Sequence, residues 1–235
     1  MEWQDQGIII SVKKFSEKQL IITSLTLAHG LHAGIMRDLA KHRSTLQIGN
    51  IVNLVWNARL SDHLGYYDIE LIEVIYPLLY HDQKRLLALS SLCEIVNICL
   101  KERIIETDLY LLMVESLQSL KNNDNWYKKY TIFELELLAK IGFGIDFSSC
   151  VATGVKTDLC YISPKSARVV SKKAGLPYHD KLLAMPEFFL NYNIKASNND
   201  IINGLKITGY FLYKHAFEPH NYKLPESRAR LISLT

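Results

Sequence analysis

The chain has 235 residues, of which 49% are hydrophobic and 22% charged, with a formal net charge of +3. This composition is that of an ordinary soluble globular protein, long enough for one large domain or two modest ones. Every apolar run is broken well short of the roughly 18–20 residues that a membrane-crossing helix needs, and the polar start Met1–Gln6 lacks the basic and apolar parts of a secretory signal, so a cytoplasmic location is expected.

The charge is unevenly spread. Residues 1–78 hold 7 basic and 8 acidic side chains, residues 79–155 hold 8 and 10, and residues 156–235 hold 12 and 6, which places the excess positive charge in the last third. Inside the near-neutral first segment there is a local basic patch: seven basic residues lie between Lys13 and Arg59, against only Glu17 and Asp38. The alternative for such a patch is a plain solvated face.

The first third reads as strands. Gly7–Val12 and Gln19–Thr26 are short β-branched runs, and Ala28-His29-Gly30 turns the chain into Leu31–Met36. Ile51–Trp56 and Asp68–Val74 follow, the last alternating between apolar and acidic residues. Five short strands in about 75 residues predict a small closed barrel; the OB-fold has this strand count and size, and an SH3-like barrel is the competing solution. Tyr76-Pro77 marks a boundary, because proline biases its predecessor to extended backbone. The predicted domains are thus an OB-fold-like barrel at residues 1–78 and a mostly helical part at 79–235.

Beyond it the apolar period becomes helical. Leu89, Leu92, Val96 and Cys99 form one stripe, and Leu109, Leu112, Met113, Leu117 and Leu120 form another, broken at Lys121–Asn125. Ile132–Leu138 partly alternates, but its Glu and Leu content and the Ile141-Gly142 stop favour helix. Residues 144–178 hold glycines and prolines with short β-branched runs at Cys160–Ile162 and Arg168–Val170, which predicts an irregular lobe with a hairpin. A helix is predicted from near Ser197 to Ala216, capped by Ser197 or Asn198, with Ile201, Leu205, Thr208 and Leu212 inward. Pro225-Glu226-Ser227 opens a last basic helix with Arg228 and Arg230. The fold class is therefore α+β.

No catalytic constellation is visible, and no enzymatic activity is expected. Gly142-Phe143-Gly144 lacks the third glycine and preceding strand of a dinucleotide site. Glu134 and Glu136, two apart on a helix, do not face one direction and read as solvated. His29, His32 and His42 stand singly and read as structural. Cys150 is the most metal-like residue, but a zinc site needs four ligands in short-spaced pairs. The partner positions hold Thr153, Ser171 and Ala174, and Cys160 cannot replace them, so no metal and no cofactor is expected; Cys93 and Cys99 are expected as buried free thiols. Packing of Ile162, Val169 and Val170 is left to hold the lobe.

The remaining signal is for nucleic acid. Lys13 and Lys14 end the first strand, Arg37, Lys41, His42 and Arg43 occupy the connection between the third and fourth strands, and Arg59 ends the fourth. A basic groove tracks phosphates, and exposed aromatic rings stack on bases. Phe15 and Trp56 are the ring candidates, with a core position the stronger reading for Trp56. Arg168, Lys172, Lys173 and Lys181 make a secondary basic cluster.

Over nearly its full length the chain resembles the DNA repair protein RecO family. The resemblance lies in Val12-Lys13-Lys14-Phe15-Ser16-Glu17 running into Leu20–Thr26 and His29-Gly30, in Phe133-Glu134-Leu135-Glu136-Leu137-Leu138, in Gly142–Asp146 leading to Cys150, and in Ser163-Pro164-Lys165. Thr208–Leu212 and Leu224-Pro225-Glu226-Ser227-Arg228 complete it. It implies an N-terminal OB-fold, a helical body, and a mediator of homologous recombination that binds single- and double-stranded DNA and anneals complementary strands. Such a mediator helps load the RecA recombinase on DNA coated by single-strand-binding protein (SSB), acts with RecR and, in some members, binds the acidic SSB tail, for which the positive last third is suited. A nucleoid-associated place in the cytoplasm follows from this. Many members carry a four-cysteine zinc site in the middle lobe, of which this chain keeps only Cys150. The competing expectations are an adaptor between RecR and SSB with little DNA affinity of its own, favoured by the near-neutral barrel, and a hydrolase with an unfamiliar site.

Overall fold

The computed structural model of the chain describes residues 1–37, 45–122 and 125–235. Five strands come first: β1 (Glu2–Ser16), β2 (Gln19–Thr26), β3 (Gly30–Arg37), β4 (Ile51–Asn57) and β5 (Tyr66–Glu73). They close into a barrel in the order β1-β2-β3-β5-β4. β1 closes it by serving two neighbours. Its first half pairs with β4 from Glu2↔Asn57 to Ile8↔Ile51, and its second half pairs with β2 from Gly7↔Thr26 to Ser16↔Gln19. β3 meets β5 in parallel at Ile35↔Tyr66, while the other pairings are antiparallel. This is the OB-fold, and the SH3-like alternative falls. β1 is far longer than the predicted Gly7–Val12.

The barrel core is built from inward residues of all five strands, among them Ile9, Ile22, Met36, Val52, Leu54, Trp56, Tyr67 and Ile69. The alternation read in β5 is real: Tyr67 and Ile69 are buried, whereas Tyr66, Asp68 and Glu70 are exposed. The β2–β3 turn depends on Gly30, which sits at φ +67°; a Cβ there would lie 2.0 Å from the carbonyl oxygen of Ile104, so any side chain would be blocked twice.

The chain forms two compact units, Met1–Asp124 with Pro225–Leu231 and Asn125–Leu224 with Ile232–Thr235. The first unit adds two helices to the barrel, α1 (Gln83–Cys99) and α2 (Thr107–Asn122). Asp82 caps α1, accepting from the backbone N–H of Lys84 and Arg85. Leu89, Leu92, Cys93 and Val96 form its buried stripe, and burial pushes the Cys93 thiol up to about 12. On α2, Gln118 donates to Glu73 at 2.8 Å and Lys121 pairs with the same carboxylate. Most of α6 (Glu226–Ser233) also belongs here: Ser227 donates to Glu94 at 2.9 Å, and Arg228, read as part of a basic helix surface, is buried.

The second unit holds α3 (Trp126–Lys140), a small sheet in the order β7-β6-β8 (Arg168–Ser171, Leu159–Ser163, Leu183–Ala184), α4 (Lys172–Gly175) and α5 (Asn198–Leu212). Ser197 caps α5 in a full capping box with Asp200. α5 stops at Leu212 and the chain continues as a wide π-turn over Tyr213–Phe217, so the helix predicted to reach Ala216 changes its winding four residues early. Glu134 is the main departure from expectation. It is fully buried on α3 and accepts a 2.5 Å hydrogen bond from the Thr208 hydroxyl of α5. A buried carboxylate requires such a partner, and Thr208 stands 74 residues away, beyond the reach of local periodicity.

Candidate nucleic-acid interface

Cross-strand pairing sets the outer face of the barrel. Lys13 pairs with Ile21, Ile21 with Ile35, and Ile35 with Tyr66. Directly paired residues share a face, so these four form one row across β1, β2, β3 and β5. The row looks outward: Lys13 and Tyr66 are exposed, Ile21 and Ile35 half-buried, whereas the adjacent Ile22 and Tyr67 are buried. Strands stand about 4.8 Å apart, so the row spans roughly 14 Å.

Arg37, the last residue of β3, lies two positions beyond Ile35 on the same face, and its guanidinium sits 4.2 Å from the centre of the Tyr66 ring. Such a cation–π pair sets a positive charge over one face of the ring and leaves the other face for a further contact. Phe15, 56% exposed, stands with Lys14 and Lys18 where β1 turns into β2. Arg59 is exposed two residues past β4, in the β4–β5 loop. In an OB-fold the β2–β3 face and the β1–β2 and β4–β5 loops are where nucleic acid is held, and these residues occupy those places. Lys41, His42 and Arg43 lie outside the described residues.

Trp56 is 2% exposed and its indole N–H donates to the Leu64 carbonyl at 2.9 Å; it is core and offers no open stacking face there. Tyr66 is the ring that sequence reading missed. Its signal was the Tyr66-Tyr67 step at the head of an alternating strand, one ring outward and one inward. His29 and His32 have partners in the barrel: His29 Nδ1 is 2.9 Å from Asp5, and His32 Nδ1 is 3.1 Å from the Tyr67 hydroxyl.

In the second unit, Lys172 and Lys173 open α4, and Lys181 ends the turn that follows it; all three are exposed. Arg168 pairs with Asp146 at 3.0 Å, which offsets its charge within the secondary cluster. Hydrogen bonds from Ser148, then the Arg168 guanidinium, hold the Asp146 carboxyl below the usual range.

The Cys150 lobe does not fit a zinc ion. The sulfur is buried and accepts a hydrogen bond from the Ser171 backbone N–H at 3.2 Å. Burial pushes this thiol up, but hydrogen bonds from Ser171 and Thr153 outweigh it and hold it at about 6. Two hydroxyls and the Ala174 methyl stand where thiolates would be needed, and zinc sites take sulfur or imidazole. Among the described residues no group of three or more His, Cys, Asp or Glu could hold a metal. Ile162, Val169 and Val170 are buried within the β6–β7 hairpin itself, and Val151 N–H donates to the Val169 carbonyl at 2.9 Å. Excess chelator is therefore expected to leave the thermal unfolding midpoint unchanged, whereas Cys150→Ala costs about 1–2 kcal/mol through its lost packing and hydrogen bonds. A chelator-induced drop in midpoint would contradict a metal-free lobe.

An OB-fold barrel followed by a mainly helical part makes this an α+β protein. The family model for the N-terminal part of recombination protein O matches residues 1–75, and that for its C-terminal part matches residues 80–223. The DNA repair protein RecO of Rhodospirillum rubrum is 36% identical over 99% of this chain and 95% of its own length. That of Wolbachia sp. subsp. Drosophila simulans is 38% identical over the whole of both chains, and that of Mesorhizobium japonicum is 36% identical over 99% and 93%. The chain belongs to the RecO family of DNA repair proteins. No described helix is long and apolar enough to cross a membrane.

Proposed function

We propose that this protein is a recombination mediator without catalytic activity. It binds single- and double-stranded DNA, anneals complementary strands, and helps load RecA recombinase on DNA coated by SSB, working with RecR and the acidic SSB tail at the nucleoid. The observation that carries the proposal is the outward row of Lys13, Ile21, Ile35 and Tyr66 with Arg37 against Tyr66, on the face that OB-folds use for nucleic acid.

In this reading residues 1–78 are the DNA-binding domain. Lys13, Lys14, Arg37 and Arg59, with Lys41, His42 and Arg43 in the β3–β4 connection, contact phosphates; Phe15 and Tyr66 stack on bases, each contributing about 1–3 kcal/mol. Residues 79–235, with the metal-free lobe at 144–178, carry protein contacts, and Lys172, Lys173 and Lys181, flanked by the paired Arg168, are a secondary contact for DNA or an acidic tail. Annealing asks for no general acid or base. Two strands held on a positive face have their repulsion screened, which raises the rate at which complementary bases meet.

The test is an annealing time course with complementary oligonucleotides. Replacing Lys13, Arg37 and Arg59 together by alanine is expected to slow protein-dependent annealing about tenfold or more at moderate salt, with an unchanged circular dichroism spectrum. An unchanged rate would refute the assignment of this face. The second reading, an adaptor between RecR and SSB with weak DNA affinity, draws on the near balance of 7 basic and 8 acidic residues over 1–78. It would be favoured by capture of RecR or the SSB tail that survives complete loss of DNA binding.

A further inference from the structure

The interior of the barrel changes character at one end. Trp3, Trp56 and Tyr67 fall in one row through the pairings Trp3↔Trp56 and Trp56↔Tyr67, so three aromatic residues share one inward row, next to the row of Asp5, Leu54 and Ile69. His29, from the β2–β3 turn, lies parallel to the Trp3 indole with ring centres 4.0 Å apart and planes 8° apart. Trp3 continues the stack onto Trp56 at 5.6 Å and 20°. His32 stands edge-on to both indoles at 5.0 Å. A cavity of about 640 Å³ opens here, lined among others by Trp3, His29, His32, Trp56, Ser61 and Arg103. Its size is that of a small-ligand site, and barrel mouths are a recurrent place for such sites.

Two features fix a charge beside the rings. Arg103 is exposed, and its guanidinium donates to the carbonyls of Ser61 at 2.6 Å and His63 at 3.2 Å. A guanidinium has five N–H donors, so these contacts orient it without exhausting it. Its backbone is left-handed at φ +65° and is tied down by its N–H to the Leu31 carbonyl at 2.8 Å. A non-glycine residue held in that conformation beside a cavity is the kind of local strain that functional positions retain. On the other side, Asp5 accepts from the Ala28 backbone N–H and from His29, locking the imidazole onto Trp3. Burial and the nearby Arg103 charge hold the His32 imidazole down at about 4, so near neutral pH it adds no second cation and keeps one donor and one acceptor nitrogen.

We propose that the mouth of the barrel is a pocket for a single unpaired nucleobase, with the base against the His29–Trp3 stack and its phosphate at the Arg103 guanidinium. A flat heteroaromatic ring joined to an anion is the chemistry that this juxtaposition fits. The inference rests on the DNA-binding reading above and deepens it: the outer face tracks the backbone, and the mouth takes up one base from the strand. A base held this way is out of reach of a complementary strand, which gives the protein a fixed register on single-stranded DNA.

The full chain is titrated with 2-aminopurine deoxyriboside, with its 5′-monophosphate, and with an oligonucleotide carrying one 2-aminopurine, following the probe's fluorescence. The expected result is quenching by the wild-type protein, stronger binding of the monophosphate than of the nucleoside, and loss of that difference in Arg103→Ala. His29→Ala is expected to weaken the monophosphate about tenfold, and Trp3→Phe, which preserves an aromatic core, to weaken it less. Oligonucleotide binding without quenching would overturn the pocket and leave DNA binding by the outer face standing. Quenching by the monophosphate without oligonucleotide binding would keep the pocket and overturn the DNA-binding reading. Quenching that is the same in wild type, Arg103→Ala and His29→Ala, or equal affinity for N-acetylphenylalanine, would overturn the nucleobase assignment.

Discussion

Trp56→Ala is expected to lower the stability of the barrel by about 3–5 kcal/mol, the range for truncating a fully buried large aromatic residue. The indole is 2% exposed, donates to the Leu64 carbonyl and stacks on Trp3. It also shapes the β4–β5 loop. Gly65 sits at φ +65° so close to the indole that a Cβ would lie 2.4 Å from its nitrogen. Losing the ring therefore frees the turn that delivers Tyr66 to Arg37, and the destabilisation reaches the outer face. Trp56→Phe keeps most of the packing and gives up the hydrogen bond, for a loss of about 1–2 kcal/mol. Urea unfolding read by near-ultraviolet circular dichroism measures both. A loss under about 1 kcal/mol in the alanine variant would show that the loop and the core are not joined through this ring.

Acid should destabilise the barrel through His32. Burial, reinforced by the Arg103 charge, keeps its folded pKa at about 4 against 6.5 in the unfolded chain. Between those values the unfolded state binds a proton that the folded state refuses, so stability is full above about pH 6.5 and falls as the pH drops towards 4. At 1.36 kcal/mol per pH unit this one group removes at most about 3 kcal/mol, levelling off once both states are protonated. The expected result is that the stability of wild type relative to His32→Gln falls steadily from pH 7 to pH 4. Parallel stability curves for the two proteins would rule out His32 as the source.

Local pattern carried the strands well, because a barrel strand with one face buried must alternate or run apolar, and β2, β4 and β5 do so. It carried the strand count, and with it the barrel, but not the pairing: only the β3–β5 contact and the double use of β1 separate an OB-fold from other small barrels, and both join residues far apart in the chain. The beginning of β1 was missed because Glu2-Trp3-Gln4-Asp5 is too polar to read as strand. Trp3 and Asp5 are drawn into it by Trp56 and by the β2–β3 turn. The same limit explains Glu134, whose burial depends on Thr208, and the Arg37–Tyr66 pair, whose members come together only across β3 and β5. The missing zinc ligands were legible at Thr153, Ser171 and Ala174, since ligand spacing is local; that Ser171 and Thr153 would bond to the Cys150 sulfur was not. The compact unit that holds the barrel also takes in α1 and α2, because apolar stripes at Leu89–Val96 and Leu109–Leu120 show that a helix has a buried face but not what covers it.

The most direct measurement is the affinity of the full chain for fluorescent single-stranded DNA across a series of salt concentrations. For a single strand the log–log slope is about −0.7 per phosphate neutralised. If Lys13, Arg37 and Arg59 line the binding face, the wild-type slope should be about −2 or steeper, and the triple alanine variant should be flatter by about 2. A wild-type slope near zero, or the same slope in both proteins, would contradict a nucleic-acid interface on this side of the barrel.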